Sequence, residues 1–352
     1  MATAPSLSQA RLFSQLLETL EPEIRRGFMA SVTDLQSGVD WSRLLLELER
    51  GNIDGAIAAL NISPEAWAEY SASVTSAYAK AGASTAAQIT QQGIGTIGTR
   101  FQMSNPRAQA WIAENVGGSI VGFTREAQMT ARTIIEAGYA LGQGPRTIAT
   151  DLVGRVQGGV RTGGILGLDN PRAMRLQAVV NGMRTAEGVR DLVTEKMDGT
   201  LEVRYKVNPA TEQRILKAFR AGTEVPLNER VISERQYSNA LLKARGDTVA
   251  ATETANAVMA ARQEQWIQLA EAQGLDARAV KKTWQHRRGG AKEFRPSHLA
   301  MSGKTVQGLF TPFIFPDGTR MQYAHDPAGG ARNNINCGCD VTYSLNRAYG
   351  LL

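Results

Sequence analysis

At Gly274 the sequence changes its period. Upstream, apolar residues recur three and four apart, which lays them along one side of a helix; downstream, short apolar runs are broken by Pro and Gly turns, as strands require. A chain that switches in this way is neither one sandwich nor one uniform bundle. We expect a mainly α protein: an elongated helical N-terminal region, then a small C-terminal α+β domain with a short antiparallel sheet. The expected segments are an N-terminal helical region over 1–95, a helical bundle or stalk over 96–274, and a basic α+β domain over 275–352.

The helical part has repeated start signals. Phe13, Leu16, Leu17, Leu20, Ile24 and Phe28 make the first stripe, and Leu44, Leu45 and Leu48 a second, ended by Gly51. Ser63-Pro64, Asn105-Pro106, Asn170-Pro171 and Asn208-Pro209 each place a side-chain acceptor before a proline whose missing N–H costs nothing in a first turn. Further helices are predicted over about 118–139, 146–156 and 231–273. In the last of these, Ala250-Ala-Thr-Glu-Thr-Ala255 is a run of small residues around Glu253, which is either a solvated helix glutamate or the partner of an arginine from the basic end.

Two glycine-rich stretches carry no nucleotide site. Gly93-Ile-Gly95-Thr-Ile-Gly98 matches G-x-G-x-x-G, but a helix-like Ala/Gln run precedes it and the nearest acid, Glu114, lies in a helix. Arg161-Thr-Gly-Gly-Ile-Leu-Gly167 lacks the Gly-Lys-Ser/Thr of a phosphate cradle and reads as a flexible turn between helices. Beyond Gly274, Lys281–Trp284 and Leu309–Phe315 are strand candidates. Pro316-Asp-Gly318 turns the chain back into Met321–Tyr323, and Val341–Tyr343 is a last strand.

The chemistry is concentrated at this end. All three histidines, His286, His298 and His325, and both cysteines, Cys337 and Cys339, lie between Trp284 and Tyr343. Ten basic residues face four acidic ones from 281 to 352, which is the whole formal excess of +6. No stretch approaches the roughly 18 apolar residues of a membrane span, and no secretory leader is visible. Cysteines one residue apart do not close an unstrained disulfide. Three uses of the cluster remain: zinc on Cys337, Cys339, His298 and His325, although one intervening residue is tight for a tetrahedral site; hydrolysis with His298 as base, for which no catalytic signature is present; or loop fastening, with Asp326 and Asn336 capping turns.

The order of these residues carries more than their types. Trp284, Arg295-x-x-His298, Gly303, a Phe-bearing strand with a Gly turn, Asp326-Pro327 and Asn336-Cys337-x-Cys339 resemble the C-terminal domain of the phage Mu F-like minor head proteins, the phage head morphogenesis family. Gly163–Leu168 and the Thr252-Glu253 pair resemble the helical part of the same proteins. The resemblance covers about 100–345. The family commonly has an arginine between its closing cysteines; here Gly338 stands there, so that arginine's role is absent or passes to Arg332.

The resemblance implies a structural protein with no catalytic residues: a minor component of the virion, present in few copies, acting in procapsid assembly in the host cytoplasm and bound to portal, capsid or scaffold. It also implies contact with double-stranded DNA, without sequence preference, during packaging or ejection. Lys281, Lys282, Arg287, Arg288, Lys292 and Arg295 are the candidate contacts to DNA or portal. No membrane partner is expected, nor any cofactor apart from a candidate zinc on Cys337, Cys339 and His298. The alternative is a metal-dependent nuclease or toxin-like effector carried in the head.

Overall fold

A computed structural model describes residues 8–94, 100–286 and 295–346. The protein is mainly α with small antiparallel sheets toward the C-terminus, as the change of period implies. The early helices are α1 (Gln9–Ser37), α2 (Trp41–Glu49), α3 (Ile53–Ala59), α4 (Ala68–Gln91), α5 (Pro106–Trp111), α6 (Gly117–Ala140) and α7 (Pro145–Val153). The hairpin β1 (Arg155–Gln157) and β2 (Val160–Thr162) precedes α8 (Asn170–Gly182) and α9 (Ala186–Leu192). A second hairpin, β3 (Val193–Glu195) and β4 (Leu201–Val203), precedes α10 (Pro209–Ala221) and the 46-residue α11 (Leu227–Ala272). Then come β5 (Val280–Gln285), α12 (Pro296–Ala300), β6 (Thr305–Gln307), β7 (Phe313–Ile314), β8 (Arg320–Met321), α13 (Gly330–Asn334) and β9 (Asp340–Leu345). Among the described residues no helix is long and apolar enough to cross a membrane.

Two of the four expected Ser/Asn-Pro starts are capped as the sequence implies. Asn105 accepts from the Arg107 N–H and Asn208 from the Thr211 N–H, each just before the proline of its helix. At α8 the cap is Asp169, one residue earlier than expected, because Asn170 is already helical; Asp169 accepts from the Arg172 N–H. Ser63 makes no cap bond, and Pro64 opens a 3₁₀ turn that runs into α4.

The chain forms two compact units, neither of which is a single stretch of sequence. One comprises Met1–Met29, Glu69–Ser119 and Asp247–Leu352; the other, Ala30–Ala68 and Ile120–Gly246. Each therefore draws on more than one of the three expected segments.

In the second unit the loop after β2 is packed, not the flexible turn expected from its glycines. Ile165, Leu166 and Leu168 are buried. From α11, the Ser238 hydroxyl donates to Gly164 O at 2.7 Å and Arg245 to Gly167 O at 2.8 Å. Gly164 has φ +68°, and a Cβ there would collide with the backbone of Gly154, so both backbone conformation and space require glycine.

In the first unit, α11 positions the C-terminal strands. The buried Arg262 donates to Gln9 O at 3.2 Å and to Val341 O at 3.1 Å, and its guanidinium lies 5.6 Å over the Phe13 ring. The next residue, Gln263, donates to Leu309 O at 2.7 Å and accepts from the Tyr343 hydroxyl at 2.8 Å, while Trp266, a turn further on, stacks on the Tyr343 ring at 5.7 Å. The apolar stripe of α1 is buried at Phe13, Leu16, Leu20, Ile24 and Phe28. A basic side chain in a dry interior needs partners for its charge and donors, and here carbonyls at both ends of the sequence take the two terminal nitrogens while Asp340 lies 3.9 Å away.

Candidate metal centre

The centre is built on a three-stranded antiparallel sheet of order β6-β5-β9. Trp284 pairs with Val341 and Gln285 with Asp340, so the residues just beyond the ladder, His286 and Cys339, arrive side by side. The turn into β6 is held by Gly303, at φ +78°, whose N–H donates to Trp284 O at 2.8 Å. Pro296 starts the single turn of α12 that carries His298 over the sheet. Asn336, in the left-handed region at φ +55°, turns the chain into Cys337.

These elements bring the three expected metal donors together. His298 Nδ1 lies 3.3 Å from Cys337 Sγ and 3.6 Å from Cys339 Sγ, and the three ligand atoms are all within 4.8 Å of one another, a group that could hold a metal ion. The other ring nitrogen is committed: Asn333 Nδ2 donates to Gly329 O at 2.9 Å, so its Oδ1 accepts from His298 Nε2 at 3.1 Å. That leaves Nδ1 for the sulfurs, in the manner of a metal-ligating histidine oriented from behind. The Cys339 N–H also points at Cys337 Sγ, 3.4 Å away. The thiol of Cys339 and then the His298 ring hold the Cys337 thiol well below its ordinary range against the upward push of burial, whereas the same sulfur pair and burial push Cys339 up. One of the two sulfurs is thus favoured as a thiolate, the form that binds soft metals.

Aromatic packing walls the site. The buried Trp284 meets His298 edge-on at 5.8 Å, Phe313 at 5.3 Å and Phe315 at 5.0 Å. The Asp326-Pro327 motif is a turn: Asp326 accepts from the Ala328 N–H at 2.9 Å and the Gln322 N–H at 2.6 Å, and its carbonyl accepts from Asn334 at 2.7 Å. Arg295 donates to Arg332 O at 2.8 Å and Ile335 O at 2.7 Å, which ties the start of α12 to the end of α13. It is the carbonyl of Arg332, and not its side chain, that Arg295 engages.

Three expectations are corrected. His325 does not join the donors: it is buried at φ +65° and its Nε2 donates to Cys339 O at 3.1 Å. His286 stands in the corresponding place, with Nδ1 3.5 Å from Cys339 Sγ. Lys282 is not a surface contact; it is fully buried and donates to Leu309 O at 2.9 Å and to the backbone and side-chain oxygens of Gln322 at 2.8 and 3.2 Å. Glu253 is only half-buried and, among the described residues, is not paired with an arginine. Burial pushes it up to about 7, with the Asn256 and Tyr70 side chains opposing the shift.

The remaining expected residues are more dispersed. Thr252 precedes Glu253 on α11, away from the sequence of the centre, and Lys281 is exposed on β5. Arg287, Arg288 and Lys292 lie outside the described residues, as do Gly95 and Gly98 of the glycine pattern. Sequence reasoning missed His286 and Asn333. The first was legible in principle from strand register, since it directly follows β5; nothing in the spacing of Asn333 announced it. No family model, curated protein or solved structure matches the chain.

Proposed function

We propose that the chain is a minor structural protein of a phage head, acting in procapsid assembly at the portal or shell, with a C-terminal unit fastened by a structural zinc on His298, Cys337 and Cys339. One observation carries it: the residues that resemble the head morphogenesis family are spent on one another. Trp284 packs on His298, His298 is held by Asn333 and faces both cysteines, and Arg295 and Asp326 close the loops around them. His298 is 1% exposed with both ring nitrogens engaged, so it has no nitrogen to offer a substrate. Such an arrangement suits a rigid docking unit better than a nuclease or toxin-like effector.

The test is genetic. Deleting residues 275–352 in the phage that carries the gene is expected to give misassembled or poorly infectious heads, scored by electron microscopy and plaque titre. Normal particles at normal titre would overturn the proposal. A His298→Ala chain that loses a metal-dependent DNA-cleaving activity present in the wild type would establish the effector in its place.

A further inference from the structure

We infer that His286 is the fourth ligand of a closed Cys2His2 zinc centre, joining His298, Cys337 and Cys339; the inference rests on the structural-zinc reading above and adds the coordination number. Three considerations converge on it.

The first is metric. A tetrahedral zinc with Zn–S of about 2.3 Å and Zn–N of about 2.0–2.1 Å sets a sulfur and a nitrogen ligand about 3.6 Å apart. The observed sulfur–nitrogen separations are 3.3 Å and 3.6 Å to His298 and 3.5 Å to His286. All three match an edge of such a tetrahedron. His286 meets the Cys339 sulfur at this distance, and binding draws its ring toward the other two donors.

The second is elimination. A structural zinc takes four protein ligands, whereas an open position belongs to catalytic sites where water enters. Cys339 and His298 are each 1% exposed and Cys337 and His286 are half-buried, so the centre is open to water only from one side. Of the other nearby donors, His325 donates its Nε2 to Cys339 O, and Asp340, the next residue along β9, faces Arg262 at 3.9 Å on the opposite side of the strand. His286 Nδ1 alone among these points at the sulfurs.

The third is topological. His286 and Cys339 lie immediately past the last pair of the β5–β9 ladder, Gln285 with Asp340. A metal there would clamp the end of the sheet, join it to α12 through His298, and close the corner at Cys337. On binding, whatever thiol protons remain leave to solvent and both cysteines ligate as thiolates, so the centre as a whole is neutral.

The experiment uses the full chain, purified from zinc-replete medium and also loaded with Co²⁺. Metal analysis is expected to give one zinc per chain, X-ray absorption two sulfurs and two imidazoles, and the Co²⁺ form the intense ligand-field bands of a four-coordinate site. In His286→Ala the imidazole count falls to one, the bands weaken, and the Kd for zinc rises at least about 100-fold. His325→Ala leaves the metal spectra unchanged. The wild-type imidazole count decides the matter even if His286→Ala fails to fold. One imidazole in the wild type, or unchanged spectra and affinity in a folded His286→Ala, overturns His286 as ligand while leaving structural zinc in place. Failure of the wild type to hold zinc or Co²⁺ overturns both.

Discussion

Lys282 shows how far the meaning of one residue depends on its place in a strand. In sequence it is half of a Lys-Lys pair in a basic stretch and reads as a phosphate contact. In the fold, Val280, Lys282 and Trp284 share the inward face of β5, while Lys281 is exposed on the other face. The alternation was legible; what was not is that three oxygens wait on the inner side to take the three ammonium protons. Burial lowers this lysine to about 7, with the Asp326 carboxylate opposing the shift. The unfolded lysine, near 10.4, binds its proton more tightly than the folded one, so between about pH 7 and 10 the contribution of Lys282 to stability rises with pH. We expect Lys282→Met to lose about 2 kcal/mol, because it takes the ammonium donor from Gln322 O in the interior and leaves Leu309 O with Gln263 alone. The deficit relative to wild type should grow from pH 7 to pH 9.5 in urea titrations. A variant as stable as wild type, or a deficit that shrinks with pH, would refute this account of the site.

At the level of elements, the helix starts and the strand candidates were the legible part, because each is written in a few adjacent residues. The 3–4 spacing gave α1, the Asn-Pro pairs gave α5 and α10, and the Pro316–Gly318 turn gave the β7–β8 pair. Less legible was which face of α11 is buried, since polar and small residues surround that helix on all sides. Its Arg262, Gln263 and Gln265 are all buried, which an apolar stripe does not announce. Glu253 lies half-buried on the same helix. Its folded value of about 7 stands above the unfolded glutamate value of about 4.3, so the folded state holds the proton more tightly and stability is lost as pH rises through 7. Glu253→Gln keeps acceptor and shape for Tyr70 and Asn256 without the charge. The substitution should be close to neutral at pH 5 and stabilising at pH 8, read as a rise in the urea midpoint at the higher pH only. An equal effect at both pH values, or destabilisation at pH 8, would place the carboxylate in water or against a cation.

For the whole molecule, local signals could not reveal that the compact units interleave. Arg262 reaches Gln9 across 253 positions of sequence, and no periodicity encodes such a pairing. Net charge is different, being a global quantity that the sequence states outright, and its +6 excess falls within 281–352. The structure thins the set of residues free to use it. Lys282 is internal and the guanidinium of Arg295 is committed to two carbonyls, which leaves Lys281, Arg287, Arg288 and Lys292 of the six candidates. If these meet phosphates, about four counterions are released on binding duplex DNA, and log K should fall against log salt with a slope of about −3.6. That corresponds to a loss of about 150-fold in affinity between 50 and 200 mM salt, the same for unrelated sequences. Reversing Lys281, Arg287 and Arg288 to glutamate should flatten the slope and abolish binding at the lower salt, measured by fluorescence anisotropy on a labelled duplex. Lys282→Met, although it also removes a positive charge, should leave the slope unchanged in chains that remain folded. Binding that ignores salt, or the absence of binding at 50 mM, would direct the basic end to an acidic protein surface instead, where the same four residues would be read by a portal or scaffold carboxylate.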